Sequence, residues 1–180
     1  MGDFDGDGSN ELVSTDNNNR VFILTEQNGN YVQTWFYPFK LATKGTIQQV
    51  LVFDTNKDNR DDIVLITTHG ISVINDLNAL SYELFSTEDT IFSAAIDDID
   101  SDGIPEIAYL HARGVNAYET ESLLSVISMS APSNVLFSVN IDAQKVIFAN
   151  VDLQPGLELI TNSGLVYDTQ TWQNKWANST

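Results

Sequence analysis

Acidic side chains are concentrated near the start of the chain, between Asp3 and Glu11. Asp3, Asp5 and Asp7 stand at alternate positions, glycines lie between and after them, and an apolar run follows Glu11. Calcium is held by six to eight oxygen ligands, and a short loop with alternating acids can direct several carboxylates at one point. The segment is therefore a candidate calcium-binding loop, whose positions we number 1 to 9 from Asp3 to Glu11.

Two further segments, 54–62 and 98–106, repeat this pattern. Turns often contain Asp, Asn and Gly for backbone reasons alone, but three copies with alternating oxygen-bearing side chains favour a metal-binding role. Asn56 replaces an acid in the second loop, which predicts weaker binding there. The side chains at positions 1, 3, 5 and 9 are Asp3, Asp5, Asp7 and Glu11; Asp54, Asn56, Asp58 and Asp62; and Asp98, Asp100, Asp102 and Glu106.

A fourth segment, from Asp152 to Glu158, retains the first acid, a glycine and the last acid but reads as two residues shorter. It has no position for the central acid, and its Pro155-Gly156 pair can turn the chain without an ion. The sequence therefore predicts that this fourth loop is empty of metal.

The EF-hand begins with the same pattern but differs in what must follow. It requires a bidentate glutamate at position 12 and a helix on each side of the loop. Position 12 is occupied here by Ser14, Leu65 and Tyr109, each within a β-like run. The loops are therefore predicted to connect strands rather than helices.

The first acids of the four segments recur about every 50 residues, a spacing typical of propeller blades. Each unit has a short apolar run before the loop, another after it, a turn, a third run and a more polar fourth run, as expected for an exposed outer strand. The predicted strands before the loops are 47–53, 91–96 and 146–151; those after the loops are 12–15, 63–68, 107–111 and 157–161; the third strands are 21–24, 71–74, 115–118 and 165–167; and the fourth strands are 31–37, 81–85, 123–128 and 173–177.

The predicted fold is all-β, a β-propeller of four consecutive four-stranded antiparallel blades. The first blade lacks its innermost strand because the chain begins at the loop. A single propeller region is expected over residues 1–180, with blades at approximately 1–42, 43–87, 88–140 and 141–180, and with an extra hairpin or loop at 131–140. Because no strand remains to close a ring, we expect the chain to be part of a larger propeller.

An acid-rich loop between two strands, repeated at this spacing, resembles the FG-GAP or VCBS type of calcium-binding β-propeller repeat, as in the blades of integrin α-subunits. The resemblance covers nearly the whole chain and is carried by the three complete loops. In that family the side chains at positions 1, 3, 5 and 9 and the backbone carbonyl at position 7 hold the ion. The resemblance therefore implies about three Ca²⁺ sites, completed by the carbonyls of Ser9, Arg60 and Ile104. Asn59 stands where glycine is usual, which asparagine tolerates better than most residues.

The chain has 25 acidic and 8 basic residues, a formal net charge of −17, and no cysteine. This charge disfavours binding to nucleic acid or to anionic membrane surfaces. Membrane insertion is not expected, since no apolar run is long enough to span a bilayer. Calcium loops of this kind fill where calcium is plentiful, so we expect an extracellular, cell-surface or periplasmic location, with any secretory signal lying upstream or removed.

Recognisable catalytic motifs do not accompany the loops, and the protein is expected not to be an enzyme. His69 and His111 are interpreted as exposed turn residues, and the tryptophans as packing residues rather than a sugar-stacking platform. The predicted function is calcium-stabilised binding or adhesion to an unidentified protein or glycan. Two alternatives are an accessory propeller of a larger secreted polysaccharide-active enzyme, and a structural subunit that assembles through open propeller ends with further blades or another subunit.

Overall fold

The computed structural model describes residues 1–41, 44–116 and 119–176. Within these ranges the regular secondary structure consists of strands, and no helix could cross a membrane. The strands are β1 (Leu12–Thr15), β2 (Val21–Gln27), β3 (Asn30–Phe36), β4 (Ile47–Phe53), β5 (Asp62–Thr67), β6 (Gly70–Ile74), β7 (Tyr82–Ser86), β8 (Thr90–Asp97), β9 (Glu106–Asn116), β10 (Glu119–Ser128), β11 (Val135–Asn140), β12 (Val146–Ala149), β13 (Glu158–Thr161) and β14 (Val166–Asp168).

The strands form antiparallel sheets in which sequence neighbours pair with each other. The first compact unit, Met1–Ser86, contains the sheets β1-β2-β3 and β4-β5-β6-β7. The second unit, Thr87–Thr180, contains the sheets β8-β9-β10-β11 and β12-β13-β14. The all-β prediction is confirmed, and these meandering sheets are consistent with propeller blades. The predicted domain and blade boundaries stay predictions.

The core of the first unit forms around β5 and β6, whose residues are buried throughout. These strands are almost continuously apolar and rich in Ile and Val, the composition of strands covered on both faces. Ile63 and Leu65 pack in one cluster with Val21 and Ile23 of β2. The outer strand β3 is largely exposed, which is why it is more polar.

In the second unit apolar residues of six strands, β8, β9, β10, β12, β13 and β14, form a corresponding cluster. Leu110 of β9, Leu124 of β10 and Leu159 of β13 are fully buried within it. Phe137 of β11 packs against the cluster and lies parallel to Trp172, with ring centroids 4.7 Å apart. The sheets of this unit are therefore held by aliphatic side chains inside and an aromatic pair towards the edge.

The hairpin between β9 and β10 is longer than the sequence predicted. The turn expected between the predicted strands 107–111 and 115–118, at Arg113-Gly114, is wrong, because β9 continues to Asn116 and Gly114 pairs with Thr120 of β10. Gly114 does not have the positive φ that would force a turn. Segment 123–128 is consequently part of the third strand of this sheet rather than the fourth, and the predicted extra segment at 131–140 contains the fourth strand, β11. Part of the predicted strand 115–118 lies outside the described residues.

The fourth sheet has three strands, so the predicted strand at 173–177 is also wrong over its described residues. Asp168 ends β14 because its carboxylate accepts hydrogen bonds from the N–H groups of Gln170 (3.0 Å) and Thr171 (2.8 Å), which begin a turn. After this turn the described residues form an isolated bridge between Tyr167 and Asn174 rather than a strand. The predicted end of the strand, Ala177, lies outside the described residues.

Candidate metal-binding loops

The aspartate at position 1 organises the backbone of each complete loop. The carboxylate of Asp3 accepts hydrogen bonds from the N–H groups of Gly6 (2.7 Å), Asp7 (3.1 Å) and Gly8 (2.9 Å). In the second and third loops the position-1 carboxylate likewise accepts bonds from the N–H groups of positions 5 and 6. The chain therefore wraps around this carboxylate, and these side-chain-to-backbone hydrogen bonds determine the conformation of the loop.

The complete loops also share a left-handed backbone at positions 4 and 6. Most L-residues avoid this region because Cβ approaches the following carbonyl oxygen, whereas Gly, which has no Cβ, and Asn adopt it more readily. Asn59 at position 6 adopts it, as the sequence suggested, whereas Lys57 and Ser101 at position 4 do so at a steric cost. The φ angles are 80° at Gly6, 63° at Lys57 and 61° at Ser101 for position 4, and 86° at Gly8, 64° at Asn59 and 81° at Gly103 for position 6.

The acid at position 9 is buried in all three loops. Glu11, Asp62 and Glu106 lie where the loop enters the next strand, and each accepts a hydrogen bond from the N–H group at position 2, at 3.2, 2.8 and 3.2 Å respectively. Burial raises the pKa of all three carboxyl groups, and it raises that of Glu106 to about 7. Neighbouring loop carboxylates raise these pKa values further.

The structure brings three carboxylates together in the first loop and three in the third. Each of Asp3, Asp5 and Glu11 offers an oxygen within 4.8 Å of the others, and Asp98, Asp100 and Glu106 do the same. Two ligands of one calcium ion can lie at most about 5 Å apart, since each Ca–O distance is 2.3–2.6 Å. Both sets of oxygens therefore fit a calcium ion.

The remaining predicted ligands of these two loops are not part of the carboxylate groups. Asp7 and Asp102 at position 5 direct one oxygen to the N–H groups of Ser9 and Ile104, at 2.8 and 2.7 Å. These bonds fold the chain back at position 7. The position-5 carboxylates and the carbonyls of Ser9 and Ile104 stay predicted ligands.

The second loop uses its carboxylates differently. The Arg60 guanidinium lies 2.7 Å from an oxygen of Asp58 and lowers the pKa of that carboxyl group. The amide of Asn56 donates to the same Asp58 oxygen (3.3 Å), and the hydroxyl of Thr55 donates to Asp62. Among the described residues, this loop is not one of the groups of three convergent carboxylates. The weaker metal binding predicted from Asn56 stays a prediction. The contact of Arg60 with Asp58 is a second reason to expect it, and the presence of an arginine at position 7 was already visible in the sequence.

The fourth loop has the same length as the others, which corrects the sequence alignment. Glu158 accepts a hydrogen bond from the N–H group of Val151 (3.0 Å), seven residues earlier, as Glu11 does from Phe4. Position 1 is therefore Asn150, and Asp152 occupies position 3. The error arose because the alignment began at the first acid. Pro155 then falls at position 6, where its fixed negative φ excludes the left-handed backbone of the other loops.

A lysine outside the fourth loop, Lys175, contacts both acids of the loop and the last residue of β14. The ammonium nitrogen of Lys175 lies 2.9 Å from Asp152, 2.6 Å from Glu158 and 3.0 Å from Asp168. The hydrogen bond from Lys175 lowers the pKa of Asp168 to about 2. Sequence reasoning missed this residue, because Lys175 lies far along the chain from position 9 and the loop itself contains no sign of it.

His111 belongs to a buried polar chain, so its interpretation as an exposed turn residue is wrong. Its Nδ1 lies 2.7 Å from Asp89, its Nε2 lies 3.0 Å from the hydroxyl of Ser125, and Ser125 lies 3.1 Å from Ser138. This order of groups matches that of a serine-hydrolase triad. Ser125, however, is only 4% exposed and lies on β10 between two paired strands, so a substrate cannot reach its hydroxyl. We interpret the chain of bonds as a brace across β9, β10 and β11. His69 does lie in a turn, where it is half-buried.

Sequential antiparallel sheets, in three of which an acid-rich loop joins the first two strands, define a repeat protein of the all-β class. A family model of the FG-GAP-like repeat matches residues 3–65, a segment that contains the first two complete loops. The sequence of residues 3–65 is therefore similar to an FG-GAP-like repeat. No curated protein matches the chain significantly.

Proposed function

We propose that the chain is part of a calcium-stabilised β-propeller module that binds a protein or glycan outside the cytoplasm. The FG-GAP-like repeat at residues 3–65 and the meandering antiparallel sheets support a propeller-type module, a class often involved in binding. The observation that carries the calcium part is the convergence of three carboxylates, one of them buried, in the first and third loops. The extracellular part is supported by the calcium concentrations at which such loops fill.

The ion would supply the positive charge that these carboxylates lack. In the first loop Asp3, Asp5 and Glu11 would hold it, and in the third loop Asp98, Asp100 and Glu106 would do so. Position 1 lies at the start of the loop and position 9 at its end, so shared coordination ties the two ends together. The strands on either side are thereby fixed in register, which preserves the shape of the exposed surface.

Calcium dependence of folding is the first test. Binding to the folded state alone stabilises by about 2.7 kcal/mol per site at a hundredfold excess over Kd. We therefore expect EDTA to lower the melting temperature by several degrees and millimolar Ca²⁺ to restore it, as measured by differential scanning calorimetry. Asp3→Asn and Asp98→Asn should each remove part of the response. The exposed residue Asp142, which lies outside the loops, supplies the control variant Asp142→Asn. Melting that is unchanged by EDTA would refute the calcium mechanism.

Binding is tested separately, with calcium held at a saturating level. The protein is applied to an array of glycans and, in parallel, to immobilised extracellular proteins. A module of this kind should retain a subset of them without chemical turnover, and retention should fall when EDTA loosens the loops. Retention of no glycan and no protein by the folded, calcium-loaded chain would contradict the binding part of the proposal while leaving the calcium part standing.

A further inference from the structure

The fourth loop has the outline of a metal-binding loop but a different set of donors. Its buried acid, Glu158, accepts the same backbone hydrogen bond as the position-9 acids of the other loops. Asp152 accepts a bond from the N–H group of Gln154 (2.7 Å), just as Asp5 at position 3 does from Asp7 (3.1 Å). Positions 3 and 9 are therefore occupied by carboxylates in the expected places.

The charge of these carboxylates is met from within the chain. The ammonium group of Lys175 lies within 3.0 Å of three acids, of which Glu158 has a side chain only 3% exposed. A buried carboxylate is strongly unfavourable unless a positive charge or hydrogen bonds compensate it. Lys175 supplies both, because an ammonium group carries a charge and three donors.

The position of Lys175 is fixed by its own segment. Its backbone N–H donates to the carbonyl of Val166 (2.8 Å), which anchors the residue beside β14. Trp172, three residues earlier, stacks on Phe137 with an interplanar angle of 8°, and its backbone N–H donates to the carbonyl of Asp168 (2.8 Å). These contacts place the ammonium group over the loop without relying on the long side chain alone.

Asn150, at position 1, makes a second substitution for a cation. Its amide nitrogen donates to the carbonyl of Gln154 (3.2 Å) and to that of Gly156 (2.9 Å), at positions 5 and 7. A carbonyl at position 7 is a predicted metal ligand in the complete loops, whereas here it accepts a hydrogen bond. An aspartate at position 1 has no such donor to offer.

We propose that the ammonium group of Lys175, assisted by the amide of Asn150, takes the place of a bound cation in the fourth loop, so that this loop is held in shape without metal. The low pKa of Asp168 agrees with this arrangement. The inference concerns residues 150–158 and Lys175 alone, and it stands or falls independently of whether the other loops bind calcium.

The test is amide hydrogen exchange of the full chain in EDTA, read at peptides that cover residues 150–158. We expect Lys175→Met to accelerate exchange there by at least about tenfold, because the buried carboxylate loses its partner. The double variant Lys175→Met with Glu158→Gln should recover part of the protection, since the uncompensated charge is gone. Lys145→Met, at an exposed lysine of the same unit, is the matched control and should leave the peptides unchanged.

Two results would overturn the proposal. One is unchanged exchange at residues 150–158 in Lys175→Met, which would make the lysine a dispensable surface contact. The other is slower exchange of these residues on addition of millimolar Ca²⁺ to the double variant Asp98→Asn with Glu106→Gln, whose third loop lacks two of its carboxylates, which would mean that an ion displaces the ammonium group. If Lys175→Met proves too unstable to study, the double variant decides: it should fold, and failure of Glu158→Gln to restore folding would count against a charge-compensating role.

Discussion

The carboxylates at position 9 are buried, but each of them also needs a compensating positive charge or a proton. Glu106 is the first residue of β9 and is 2% exposed, yet two other acids of its loop lie beside it. Water cannot solvate such a group, so either a proton or a cation must compensate it. The same conflict in the fourth loop is resolved by Lys175. A buried acid at this position thus identifies where each loop needs positive charge.

The pKa of Glu106 makes this conflict measurable as a pH dependence. Because burial raises its pKa from 4.5 to about 7, the folded chain retains a proton that the unfolded chain has released. The stabilising contribution is complete below the unfolded value and is lost as the pH rises through the folded value. In EDTA we expect the free energy of unfolding of the second unit to fall on the order of 2 kcal/mol as the pH rises from 4.5 to about 7. Urea denaturation of the full chain measures this change.

The variant Glu106→Gln isolates that effect. A neutral amide does not titrate, so the decline between these pH values should flatten, and calcium should stabilise the variant less than the wild type. Glu88→Gln, at an exposed acid of the same unit, should keep the wild-type profile. Identical slopes in Glu106→Gln and wild type would assign the pH dependence to another group.

At the scale of the loop and its strands, backbone conformation decides which residues are accepted. Gly8 has φ +86°, and a Cβ there would meet no atom within 4 Å, so only the dihedral angle opposes a side chain. Gly114 on β9 has equal room but lacks the positive φ. The two glycines therefore separate backbone strain from steric crowding.

We expect Gly8→Ala to destabilise the first unit by about 1–2 kcal/mol, the cost of the left-handed region for an L-residue. Gly114→Ala should be neutral or should stabilise the second unit by up to about 1 kcal/mol, since alanine loses less entropy than glycine in a strand. Both values follow from chemical denaturation in EDTA. Equal costs at the two sites would show that the loop backbone does not require glycine at position 6.

Much of the strand pattern was predictable from sequence, because buried strands are nearly continuous apolar runs and the loops punctuate them. β4, from Ile47 to Phe53, and β1, from Leu12 to Thr15, have the predicted bounds. The prediction of a turn at Gly114 was wrong because glycine permits a turn without requiring one. In addition, β9 is extended by pairing with another strand, a non-local interaction that a local sequence pattern does not reveal. The alignment of the fourth loop failed for a related reason, since its first position is Asn150 and only the bond to Glu158 reveals the frame.

The candidate sites were predictable only as sets of ligand types. Alternating acids identify a loop, but which carboxylates converge depends on what else binds them. Arg60 holds Asp58 in the second loop, whereas Asp3, Asp5 and Glu11 meet in the first. The spacing of acids in the sequence does not show which carboxylates are bound by other side chains instead of converging on one point.

For the whole molecule, the dominant electrostatic fact is a formal net charge of −17. Clustered like charges destabilise a compact state through mutual repulsion, and dissolved salt screens it. The Debye length falls from about 30 Å at 0.01 M to about 3 Å at 1 M ionic strength. Divalent ions should therefore reduce the repulsion between carboxylates by binding to them, and monovalent salt should reduce it by screening.

In EDTA, we expect the melting temperature to rise by several degrees between about 0.01 and 1 M NaCl, because screening acts on the repelling carboxylates. Calcium-saturated protein should respond less, since its loops are already neutralised. Calorimetry of both forms across a salt series checks this. A melting temperature that falls with salt would mean that attractive ion pairs outweigh the repulsion.

The hydrogen bond from Val151 to Glu158 and the three contacts of Lys175 have a bearing on how the protein matures. Under the proposed location outside the cytoplasm, the polypeptide is synthesised where free calcium is scarce. The β12–β14 sheet would acquire its final form during that interval, ahead of the repeats that are proposed to bind calcium. It would then keep that form through any later depletion of the ion, as the segment of the protein that responds least to its surroundings.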